Sequence, residues 1–262
     1  MNEAATPPRP RGLLLDLDGV FYVGNQLIDG ALEAIDFLER AQIPHLYLTN
    51  TTTRSLGELE EKLHSLGLPI DRSRILSAPL AARRWLEQQG IQRCRLLVRE
   101  GVKIDFAGLA EDGDNPQAVV VGDIGSAWSY ELLNAAFRDL VNGARLIALH
   151  KNRYWQAEDG LRLDIGAFVA ALEYAADLQA VIMGKPSPDF FATALQMLGL
   201  PAQAVAMIGD DIESDVGGAQ ACGITGVLVK TGKYRPELAA RTGITPDLTL
   251  DSIADLPCWL DT

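Results

Sequence analysis

Short, almost uninterrupted apolar runs alternate along this chain with longer stretches in which apolar residues return every three or four positions. The runs at 13–17, 45–49, 96–98, 118–121, 146–149, 205–208 and 227–229 predict strands, and the periodic stretches at 31–40, 56–66, 130–140, 165–176 and 188–198 predict helices. Strand and helix in turn is the pattern of parallel βαβ units, which reads as an α/β protein. A strand buried on both faces needs continuous apolar sequence, as in LLLDL and VAMIGDD, and ligands of such sheets bind beyond the carboxyl ends of the strands. The polar residues just past each run are therefore the ones to read.

Two features interrupt the alternation. After the first strand, 20–23 and 26–28 flank Gly24-Asn25, whose tolerance of positive φ predicts a tight hairpin, a small β-flap leaving the sheet. The stretch from about 78 to 180 has three apolar runs and helices of its own, opens near Pro79, and is long enough to be an inserted α/β domain. The organisation expected is a loose, proline-rich tail at 1–11, a core domain of 12–78 and 181–262, and an inserted domain at 79–180.

With 262 residues, 48% of them hydrophobic, the chain can bury a substantial core. Its 23 basic and 35 acidic residues leave a net charge of −12, which argues against a broad nucleic-acid or anionic-membrane footprint. A site for an anion must reverse the sign locally. The three cysteines, Cys94, Cys222 and Cys258, form no CxxC pair, so neither a disulfide framework nor a thiolate zinc site is indicated. No apolar run approaches the roughly 20 residues that span a bilayer, and the first residues lack an apolar signal segment; a cytoplasmic protein is expected.

The candidate chemistry lies at four strand ends. The first gives Asp16-Leu17-Asp18-Gly19, two carboxylates at alternate positions, which could also be a solvated turn. The second gives Thr49-Asn50 and further hydroxyls before a helix, an anion pocket or an N-cap cluster. In the third, Lys185 stands between Gly184 and Pro186, where a point charge aimed at a phosphoryl oxygen explains it better than solvation. The fourth, Gly209-Asp210-Asp211-Ile212-Glu213-Ser214-Asp215, gathers acids that need a cation, and oxygen donors suit Mg²⁺.

In this order DLDG, Thr49, GKP and GDDxxxD resemble the four motifs of the haloacid dehalogenase superfamily of aspartyl-phosphate phosphatases. The flap and the long insertion resemble its subfamily IIA, which has a large α/β cap; TNTT, HKNRYW, LEYA, GKPSPDFF and VKTGKYRP extend that likeness along nearly the whole chain from Gly12. The resemblance implies a Rossmann-like core with an inserted cap and hydrolysis of a small phosphorylated compound. Asp16 would be the nucleophile, Asp18 the acid and base, and Thr49, Asn50 and Lys185 the groups binding the phosphoryl oxygens. Mg²⁺ would lie on the Asp16 carboxylate, the Asp18 carbonyl and Asp210, with Asp211 and Asp215 supporting it. It also allows a homodimer paired through the caps.

Non-catalytic readings compete. A phospho-aspartate signalling domain shares the acids, threonine and lysine but is much shorter, and a nucleotide-binding module would carry GxGxxG after the first strand, which LDLDGVF lacks. Within the insertion, Arg153 and Tyr154 of HKNRYW could read the leaving group or form a capped surface loop. Asp123, in Val121-Gly122-Asp123, which mimics Gly209-Asp210, is expected to be a strand end there, and His45 and His64 structural residues.

Overall fold

The computed structural model describes residues 9–111, 114–157 and 160–261. Positions 1–8 of the expected tail lie outside the described residues, and Arg11 is already tied in, its N–H donating to the Ala204 carbonyl at 2.7 Å.

In chain order, β1 (Gly12–Asp16) runs into the flap hairpin β2 (Tyr22–Val23) and β3 (Gln26–Leu27), then α1 (Ala31–Arg40), β4 (His45–Thr49), α2 (Leu56–Ser65) and β5 (Ile75–Ser77). There follow α3 (Ala78–Gln88), β6 (Arg93–Leu97), β7 (Ala110–Glu111), β8 (Ala118–Val121), α4 (Tyr130–Val141), β9 (Arg145–Ala148), β10 (Tyr154–Ala157), β11 (Gly160–Leu163), α5 (Ile165–Ala176) and β12 (Val181–Ile182). The chain ends with α6 (Pro188–Leu198), β13 (Val205–Gly209), α7 (Gly218–Ala221), β14 (Thr225–Val229), α8 (Pro236–Thr242), β15 (Leu248–Leu250) and α9 (Leu256–Asp261).

The chain divides into two compact units. The first comprises 1–49, 60–76 and 185–262, of which the structure describes 9–49, 60–76 and 185–261, and the second 50–59 and 77–184. This moves two expected boundaries. Val181 and Ile182 pair with Ile147 and Ala148 of β9, so the second unit runs on to Gly184. Positions 50–59 group with it too: the Leu56 N–H donates to both carboxylate oxygens of Asp105, at 3.0 and 3.1 Å.

The first unit is built on a sheet in the order β15-β14-β13-β1-β4-β5. β1 pairs in parallel with β13 on one side and β4 on the other, so successive connections leave it in opposite directions. That is the topological switch point, where the carboxyl ends of neighbouring strands open a crevice. All five residues of β1, of β4 and of β13 are buried, which is why their sequences run apolar without alternation. Asp16 lies opposite Leu48 and Leu15 opposite Ile208, a register that brings Asp16, Thr49 and Gly209 to one edge.

The second unit has its own sheet, β12-β9-β8-β6-β7, with a core on each face. Ala118 and Val120 point into the cluster with Ala82 and Leu86 of α3, and Val119 and Val121 into that with Ala136 and Leu140 of α4 and Val169 and Leu172 of α5. Period-two alternation within a wholly apolar AVVV strand serves two apolar layers at once.

Candidate active site

Asp16 is the last residue of β1, and an apolar strand that ends in a carboxylate leaves it buried at the sheet edge. Its Oδ1 accepts a 2.6 Å hydrogen bond from Lys185 Nζ, which also lies 2.7 Å from Asp215 Oδ1. Lys185 is 4% exposed and Asp215 1%. Asp215 is brought there by a wide helical turn at Ile212–Gly217, capped by Asp211, whose Oδ1 accepts from the N–H groups of Glu213 and Ser214 at 3.1 and 3.0 Å. Gly209 gives it room, since a Cβ at Gly209 would fall 2.2 Å from Asp215 Oδ2.

Asp210, the residue after β13, has its two oxygens in unlike settings. Oδ2 accepts from the Lys233 N–H at 2.6 Å, whereas Oδ1 is buried without a hydrogen-bond partner among the described residues. Carboxylate oxygens of Asp16, Asp210 and Asp215 all lie within 4.8 Å of one another. Ionised, these three and Lys185 leave a local charge of −2, and burial resists it. Burial pushes the Asp16 and Asp215 carboxyls up despite the facing Lys185, and lifts Asp210 to about 6 against the Lys233 N–H. Burial also opposes the charge on Lys185, but Asp16 and Asp215 outweigh it and hold the ammonium above its ordinary value. A group of oxygens short of positive charge, one of them orphaned, fits a hard divalent cation such as Mg²⁺.

The expected ligand set needs one distinction. Asp215 belongs to the group geometrically, but its Oδ1 is taken by Lys185 and its Oδ2 accepts from the Asp211 N–H at 3.1 Å. The Asp18 side chain is exposed at the turn into the flap and outside this group, where the Gly19 N–H bonds to the Tyr22 carbonyl at 2.7 Å. Thr49 is buried at the end of β4.

Asn50, Arg153 and Tyr154 belong to the second unit. Asn50 packs against Gly184, where a Cβ would fall 2.8 Å from Asn50 Oδ1. A cavity of about 400 Å³ in this unit is lined by Asn50, Thr51, Thr52, Thr53, Arg99, Asp123, His150 and Asp164, not by Arg153 or Tyr154. His150 is buried in it, with Nδ1 accepting from the Asn152 N–H at 3.3 Å and Nε2 3.7 Å from Asp164 Oδ1. Arg99 pairs with Asp123 at 3.1 Å. The sequence reading missed Arg99 and Asp164 and placed Asp123 only as a strand end, because strand-end position alone does not tell which polar groups share a cavity. His45 is structural, as expected: it is buried, with Nδ1 on the Ile43 carbonyl at 2.8 Å and Nε2 accepting from Arg74 at 3.0 Å.

Family models described as haloacid dehalogenase-like hydrolase and HAD-hydrolase-like match residues 13–109 and 182–256. Over 251 residues the chain is 40% identical to the Homo sapiens phospholysine phosphohistidine inorganic pyrophosphate phosphatase, a match covering 94% of this chain and 92% of that protein. The chain belongs to the haloacid dehalogenase-like hydrolase family. It is also 42% identical over 242 residues to the Homo sapiens haloacid dehalogenase-like hydrolase domain-containing protein 2, covering 92% of each. Among solved structures of the family, the p-nitrophenyl phosphatase from Archaeoglobus fulgidus superimposes with a TM-score of 0.88 at 32% identity, covering 95% of this chain and 99% of that one. The fold is therefore the haloacid dehalogenase fold. Among the described residues no helix is long and apolar enough to cross a membrane.

Proposed function

We propose that this hydrolase is a Mg²⁺-dependent phosphatase that cleaves a small phosphorylated compound through an aspartyl-phosphate on Asp16. The observation that carries the reading is the buried group at the switch point, in which Asp16 shares Lys185 with Asp215 while Asp210 Oδ1 has no partner. Burial of several acids against one lysine costs stability, and a chemical task accounts for its retention. The phosphatases named among its relatives support the choice of substrate class.

In this reading an Asp16 oxygen attacks phosphorus in line with the leaving oxygen. Lys185, held rigidly by two carboxylates, and the Thr49 hydroxyl neutralise charge on the equatorial oxygens, where preorganised donors contribute most. Asp18, exposed beside the nucleophile's strand, gives its proton to the departing oxygen and then takes one from the water that hydrolyses the aspartyl-phosphate. Asp16, Asp210 and the Asp18 carbonyl would hold Mg²⁺, with Asp211 and Asp215 orienting them. When bound, the cation offsets the carboxylate charge that would otherwise repel a phosphate dianion. The second unit serves as the cap, the part to which substrate selection is assigned, and Arg99, Asp123, His150 and Asp164 of its cavity are the candidates for that role.

The test is turnover of a panel of phosphomonoesters, phosphoramidates and pyrophosphate by the full-length protein, with and without Mg²⁺. Hydrolysis of at least one class, abolished by chelation and by Asp16→Asn with unfolding cooperativity intact, is the expected result. Full turnover after exhaustive chelation or by Asp16→Asn would overturn it.

A further inference from the structure

The loop that follows β14 lies outside the motifs from which the site was read, yet it touches two parts of that site at once. The Thr231 hydroxyl donates to the Gly19 carbonyl, in the turn that carries Asp18. Two residues on, the Lys233 N–H donates to Asp210 Oδ2 at 2.6 Å. Between them Gly232 adopts a positive φ of 56° with no room for a side chain: a Cβ there would fall 2.0 Å from Asp210 Oδ2 and 2.4 Å from Gly19 Cα. Gly19 has a φ of 91°, and a Cβ on it would meet the same oxygen at 1.9 Å. One oxygen of Asp210 is thus enclosed by two glycine backbones and a main-chain donor, and the other is left buried and unpartnered.

This arrangement removes a freedom that an aspartate otherwise keeps. A carboxylate turns readily about its last torsion, so either oxygen can face a given direction. The Lys233 N–H fixes which oxygen is spent on the protein, and Gly19 and Gly232 fix how closely the two chain segments approach. The Lys233 side chain makes no hydrogen bond to Asp210 here and acts on it through charge alone: it is 69% exposed, with Nζ 3.8 Å from Asp211 Oδ2.

We propose that the Thr231–Gly232–Lys233 loop is a positioning clamp that sets the Asp210 carboxylate and the Asp18–Gly19 turn for the cation, so that cation affinity depends on it. The inference rests on the reading of Asp210 as a metal ligand. Groups that orient metal ligands typically govern affinity by one to two orders of magnitude.

Calorimetric titration of MgCl₂ into the full-length, substrate-free protein tests this, with the melting temperature of each metal-free variant recorded alongside. Thr231→Val is expected to weaken Mg²⁺ binding by about tenfold or more, and Thr231→Ser, which keeps the hydroxyl, to stay within about threefold of wild type. Gly232→Ala is expected to weaken binding too. Lys230→Ala is the control: that side chain pairs with Asp251 at 2.7 Å, away from Asp210, and its loss leaves the affinity unchanged. Wild-type affinity in both Thr231→Val and Gly232→Ala, or equal losses in Thr231→Val and Thr231→Ser, overturns the clamp while the metal reading stands. A wild-type protein that binds no Mg²⁺ overturns both.

Discussion

Lys185 Nζ stands 2.6 Å from Asp16 and 2.7 Å from Asp215; in the proposed mechanism, removing it takes charge stabilisation from every phosphoryl substrate alike. Lys185→Ala is therefore expected to raise the barrier by about 2–4 kcal/mol on all of them, read as a uniform fall in kcat/KM across a panel. Selective loss on one substrate would place Lys185 in leaving-group recognition instead. Asp210 carries a pH prediction. Its folded-state value of about 6 lies above the 3.8 of an ordinary aspartate, so the stability it contributes is complete below about pH 4 and is lost as the pH rises through about 6. In metal-free protein Asp210→Asn should match wild type near pH 4 and melt higher than wild type above pH 6, with Mg²⁺ reversing the order. A stability difference independent of pH would contradict the burial argument. That Asp16, Lys185 and Asp210 come to strand ends was legible in the sequence because each follows an apolar run. The clamp at Thr231 and Lys233 was not legible as such, since its link to Asp210 runs through a main-chain N–H, which leaves no mark on residue type.

At the scale of elements, the strands buried on both faces were the clearest. His45–Thr49 and Ala118–Val121 fall at the positions expected, and the flap turns at Gly24-Asn25. Strands of two or three residues, such as β5, β12 and β15, are too short for periodicity to declare them. The helix α3 went unassigned although its start is well marked, with Ser77 Oγ accepting from the Leu80 N–H at 3.3 Å and Pro79 in the first turn. Pro79 was taken as a domain boundary, and a helix-starting proline looks the same. Ser77→Ala should cost about 1 kcal/mol in urea unfolding, and no change would mean that the cap contributes nothing.

For the whole molecule, the charge of −12 sets the problem that the site must solve, namely bringing a phosphate to a cluster of acids. The division of labour proposed between the two units predicts a separation of effects. His150→Ala or Arg99→Ala, in the cavity of the second unit, should redistribute activity among phosphorylated compounds. Turnover of a small aryl phosphate should stay within about tenfold, since it makes few remote contacts whose binding energy could be lost. Uniform loss would put those residues in the chemistry. The claim on which the rest depends is that Asp16 becomes phosphorylated. It is tested most directly by mixing Asp18→Asn with an aryl phosphate and Mg²⁺, quenching in acid within the first turnover, and mapping the protein by mass spectrometry. Without Asp18 to activate water, the account predicts that one phosphoryl group accumulates on the peptide containing Asp16; turnover with no adduct, or an adduct on another residue, would contradict it.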